Sequence, residues 1–108
     1  MQILIHALCT KGASLRVAIG GDAQLGKHSL ELVREKQPGR KPGWMKVRSA
    51  IATPGVLNIE WDPQSLVLSA RVITRGSAKP SRLVGDFINY LLIKHGARVR
   101  TIITAKSQ

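Results

Sequence analysis

The stretch that most constrains the fold is Ser81–Lys106, where a helical pattern runs straight into a strand pattern. Leu83, Val84, Phe87, Ile88, Leu91 and Leu92 recur at the spacing of one helix side. Pro80 discourages helix further back, Ser81 is placed to cap the start, and Gly96 offers a left-handed residue to end it after Lys94 and His95. Gly85 interrupts the helix at a cost of about 1 kcal/mol relative to alanine, which suits a close approach of helix backbone to sheet. Beyond Gly96 the pattern alternates, with Val99, Thr101 and Ile103 on one side and Arg98, Arg100, Ile102 and Thr104 on the other. A helix with so wide an apolar face needs a sheet to cover.

The rest of the chain supplies that sheet. Gln2–Thr10 reads as a strand, Lys11-Gly12-Ala13 as a turn, and Leu15, Val17 and Ile19 as a second strand. A three-residue turn groups Ile5, Ala7 and Cys9 on the core side, which is the wholly apolar choice. His28–Glu35 reads as a third strand, with a short helix as the competing reading. Trp44–Ser49 reads as a fourth, ended by Thr53-Pro54-Gly55. Val56–Asp62 and Ser65–Thr74 form the clearest hairpin, about the turn Asp62-Pro63-Gln64-Ser65. Pairing Asp62 with Ser65 sets Trp61 opposite Leu66, Ile59 opposite Leu68 and Leu57 opposite Ala70, with Asn58, Glu60, Ser69 and Arg71 on the other face. The expected fold class is α+β: a mostly antiparallel sheet of about six or seven strands built from hairpins, covered by one long helix (81–95) and closed by a final strand.

One domain spanning 1–108 accounts for the length, and no apolar run approaches the roughly 20 residues that span a bilayer. The apolar start, Ile3–Cys9, lacks a basic flank and a small-residue cleavage site, and a single cysteine suits a reducing compartment. The expected location is therefore cytoplasmic, with Cys9 as a buried, inert thiol.

Gly21-Asp22-Ala23-Gln24-Leu25-Gly26-Lys27 has the spacing of a phosphate-cradling loop. His28 stands where Ser or Thr would hold magnesium, and no helix clearly follows, so an ordinary inter-strand loop is the preferred reading. His6, His28 and His95 have no carboxylate or cysteine at metal-ligand spacing, and the six acids form no pair suited to acid–base work. Neither an enzyme, a metal nor a cofactor is expected.

Charge is the functional lead. The net charge is +11, and it is concentrated in residues 34–48 and 75–108, on either side of a nearly neutral hairpin. In the first of these, Arg34, Lys36, Arg40, Lys41, Lys46 and Arg48 stand among prolines and glycines that keep them projecting, with Trp44 among them as a stacking or anchoring group or as a residue tucked into the core edge. Arg71, Arg98 and Arg100 are expected to add a second patch on the outer sheet face, which carries no Phe, Tyr or Trp. Cations without aromatics suit the backbone of duplex DNA or structured RNA better than stacked single strands. The rival is a protein-interaction subunit whose basic surface meets an acidic protein, and Ile93, on the polar side of the helix, leaves room for a homodimer.

Overall fold

The computed structural model describes residues 2–10, 12–51 and 54–107. Six strands form one antiparallel sheet: β1 (Gln2–Cys9), β2 (Leu30–Arg34), β3 (Met45–Ser49), β4 (Val56–Asp62), β5 (Val67–Ile73) and β6 (Val99–Ser107). Their order is β2-β3-β4-β5-β1-β6, so a four-strand meander is extended by the first strand and then the last. One face is covered by a short helix α1 (Leu15–Gly20), a 3-10 turn (Leu25–His28) and the long helix α2 (Ser81–His95). This is the α+β class expected. Parts of the turn at Lys11 and of the break at Thr53 lie outside the described residues.

The core lies between helices and sheet. Ile5, Ala7 and Cys9 of β1, Leu57 and Ile59 of β4, and Leu68, Ala70 and Val72 of β5 point into it, as alternation requires. Burial pushes the Cys9 thiol up, with Arg98 opposing, so the sulfur stays protonated. From α2 come Leu83, Phe87, Tyr90 and Leu91, all buried. Leu92, expected in the apolar stripe, is 55% exposed because nine residues turn it to the side opposite Leu83. Tyr90 takes the place in the core instead.

The ends of α2 also differ from expectation. Pro80, not Ser81, holds the capping position, and no side chain bonds the first turn. Gly96 is right-handed at φ −58°, so its small size rather than its handedness matters: a Cβ there would strike the Leu92 carbonyl. At Gly85 a Cβ would meet nothing within 4 Å, so that glycine does not mark a close approach to the sheet.

Three strand expectations are corrected. Leu15–Ile19 is helix: Ser14 Oγ accepts the Val17 N–H (3.2 Å), Leu15 and Ile19 are buried one turn apart, and Val17 is 60% exposed. The third strand begins at Leu30, after the 3-10 turn. The β4–β5 hairpin pairs Asp62 with Val67, Trp61 with Leu68 and Ile59 with Ala70, two residues from the expected register. Its four-residue loop closes through Leu66 N–H to the Asp62 carbonyl (2.9 Å), with Leu66 left-handed at φ 58°. The Asp62 carboxylate accepts Ser65 Oγ (2.8 Å) and Gln64 N–H (3.0 Å), which hold it below its ordinary range. A shift of two keeps every side chain on its expected face.

In β6, Cys9 pairs with Val99 but Leu8 with Thr101, leaving Arg100 as an extra residue in a bulge. The bulge separates Val99, which faces the core, from Thr101 and Ile103, which face outward, while Ile102 turns inward.

Candidate functional site

Among the described residues no helix covers the second face of the sheet. Pairing brings Arg34 opposite Lys46, Lys46 opposite Asn58, and Asn58 opposite Arg71. Neighbouring strands lie about 4.8 Å apart, so this row sets three cations within about 15 Å of one another. In the next row Arg48 pairs with Glu31 across β2 and β3 at 3.0 Å, both side chains about half exposed. Such an exposed, solvent-screened pair adds little to stability, but it neutralises part of the Arg48 charge.

The basic loop between β2 and β3 is held at both ends by α1. Arg16 Nη2 donates to the Glu35 and Trp44 carbonyls, each at 3.0 Å, and Nη1 lies 3.8 Å from the Glu35 carboxylate. Trp44 is buried at 1% exposure, yet it is not among the core residues under the helices. Alternation from inward Met45 and Val47 places it on the uncovered face, beneath the loop. The guanidinium of Arg40 sits 5.0 Å from the centre of its ring. Trp44 is therefore the tucked-in residue and not a free stacking surface. Lys36 and Lys41 stay exposed on the loop.

Two hollows follow. One, of about 370 Å³, is lined by Leu4, His6, Arg40, Asn58, Glu60, Ser69, Arg71 and Ile73. The other, of about 380 Å³, is lined by Lys46, Gly55, Val56, Asn58, Ile73 and Arg75. Sharing Asn58 and Ile73, they make one trough across the sheet. Its described lining carries Arg40, Lys46, Arg71 and Arg75 against the carboxylate of Glu60. His6 Nδ1 meets Ser69 Oγ at 3.1 Å, while Asn58 Oδ1 is out of contact with solvent and has no hydrogen-bond partner.

The expected second patch is only partly assembled. Arg71 stands in the row, but Arg98 turns to the covered side at the end of the bulge, with its guanidinium 5.8 Å from the Trp61 ring. Arg98 Nε and Nη2 are shielded from solvent, and Arg100 is exposed in the bulge itself. Arg75 and His6 belong to the trough although their local sequence gives no sign of it. The parity of His6 was readable, but its neighbours depend on strand order, which no local pattern encodes.

The glycine-rich segment is a structural link. Asp22 accepts the Gln24 N–H (2.8 Å) and the Tyr90 hydroxyl (2.8 Å), and the N–H groups of Gly21, Asp22 and Lys27 already bond to Val17, Ile19 and Gln24 carbonyls. These donors are the kind a phosphate cradle requires. Among the described residues no three metal-ligating side chains cluster, and no helix is long and apolar enough to cross a membrane.

No protein-family model matches the chain, and no curated protein or solved structure is significantly similar to it.

Proposed function

We propose that the protein is a small, non-catalytic nucleic-acid-binding module of the cytoplasm that grips phosphates along the uncovered sheet face. The observation that carries this reading is the in-register row Arg34–Lys46–Asn58–Arg71, flanked by Arg40 and Arg75, on a chain of net charge +11. Cations set across strands at fixed spacing, on a rigid sheet, meet a phosphate backbone with little ordering cost. Backbone contact of this kind reads no base, so by itself it suits duplex DNA or structured RNA alike, and any choice between paired and unpaired nucleotides must come from elsewhere on the face.

The rival, an acidic protein partner, draws support from β6. It is an edge strand bearing Arg100 and Lys106, with Ile103 48% exposed between them, and an extended acidic segment could pair with it.

Gel shifts with a random duplex and a hairpin RNA, repeated across a salt series, separate the two. If four phosphates are neutralised on a duplex, log K falls against log salt with a slope near −3.6. Replacing Lys46 and Arg71 together by alanine flattens that slope by about 1.8. Absence of any shift at low salt overturns the reading and leaves the acidic partner.

A further inference from the structure

Resting on that reading, we propose that the hollow beside Arg40 takes the base of an unpaired nucleotide, so that the preferred ligand is a single strand or an RNA loop rather than a continuous duplex. The uncovered face carries two parallel rows of different chemistry. Successive outward residues on one strand lie about 7 Å apart. The row through Lys46, Asn58 and Arg71 is cationic, whereas the adjoining row is Glu60, Ser69 and His6. Phosphates belong on the first row. The second opposes them with the Glu60 carboxylate, but its acceptors and imidazole ring suit the edge and face of a neutral base.

The hollow is built for such a guest. Leu4 and Ile73 offer apolar surface, and His6 is held by Ser69. Arg40 lines the hollow while its guanidinium rests by the Trp44 ring, which presents a planar cation already held in place for stacking. Asn58, a member of the cationic row, lines the hollow, and its Oδ1 has no donor. Once the Asn58 side chain turns its amide toward the hollow, a ring N–H or exocyclic amino group of a base supplies the missing donor. Paired bases keep their faces stacked and their hydrogen-bonding edges engaged, so only an unpaired nucleotide can fill the hollow.

The test uses the full chain with a mixed-sequence single strand of about twelve nucleotides and the blunt duplex of the same sequence, at matched salt. The single strand is expected to bind about tenfold more tightly. Asn58→Leu and His6→Leu should each bring the ratio of the two affinities close to one, by weakening the single strand. Both side chains point away from the core, and thermal melting checks each variant, so that either alone keeps the test valid. Equal affinity for the two probes in the wild type, or equal losses on both probes in the variants, overturns the base-binding hollow and leaves the phosphate reading standing. Binding to neither probe at low salt removes both.

Discussion

Tyr90 shows how much of this fold is decided by single residues far apart in sequence. Its hydroxyl donates to Asp22 at 2.8 Å and, having given its one proton there, accepts from His95 Nε2 at 3.1 Å. Burial, followed by the bond and charge of Asp22, pushes the phenol well above its ordinary range. Burial raises the Asp22 carboxyl too, but the Gln24 N–H, the Tyr90 hydroxyl and the charges of Lys94 and His95 outweigh it and hold it low. Tyr90→Phe should therefore cost about 1.5–3 kcal/mol in urea unfolding, the range for a hydrogen bond to a charged group. Burial also lowers His95, and Arg98 and Lys94 reinforce it against Asp22. A depressed histidine means that the unfolded chain binds more protons, so stability falls as pH drops from about 6.5 through the folded value. Asp22 acts at lower pH: its contribution is complete above about 3.9 and is lost as pH falls through its depressed folded value. Urea midpoints should decline in two stages on acidification, and His95→Gln should remove the upper one. The buried role of Tyr90 was not legible from the helix alone, since a phenol enters a core readily only with a partner, and Asp22 lies on another element.

At the scale of elements, α2 carries the sharpest expectations. Phe87→Ala and Leu91→Ala should each cost about 2–5 kcal/mol, and Leu92→Ala and Asn89→Ala less than about 0.5. Gly85 faces open space on the exposed side of the helix, so Gly85→Ala should stabilise by about 0.5–1 kcal/mol. A loss there would mean that the helix backbone is closer to its surroundings than the structure places it. The strand–turn–strand core and the long helix were readable because each spans several periods of its pattern. Leu15–Ile19 was not, because Leu-x-Val-x-Ile satisfies alternation and also sets two apolar residues four apart. Ser14 decides the matter, and Ser14→Ala should cost about 1 kcal/mol. The hairpin register shifted for a comparable reason: a two-residue turn and a four-residue loop expose the same face, and a left-handed Leu66 is not signalled by its type.

For the whole molecule, charge in sequence and charge in space differ. The concentration of cations in residues 34–48 was plain from the chain, but the row from Arg34 to Arg71 exists only once β2, β3, β4 and β5 lie side by side. Arg98 likewise lies off that face, ahead of β6 and beside the Trp61 ring. The double replacement Arg98→Ala, Arg100→Ala should accordingly leave the salt slope within about half a unit of wild type, against the flattening of about 1.8 for Lys46 and Arg71. A reversed order of effects would move the contact surface to the β6 end of the sheet.

The place of β1 has a consequence in time. Gln2 pairs with Ile73 on one side and with Ser107 on the other, so the earliest of these six strands in chain order is flanked by the two latest. Its apolar residues, Ile3, Leu4, Ile5 and Leu8, must wait until roughly seventy further residues have emerged before one edge is satisfied, and about a hundred for the second. Pairing over such distances is slow, and an apolar strand left waiting is open to wrong partners. A nascent chain stalled before β6 should expose β1 to protease and to holding chaperones, while the β2–β5 meander can already assemble behind it.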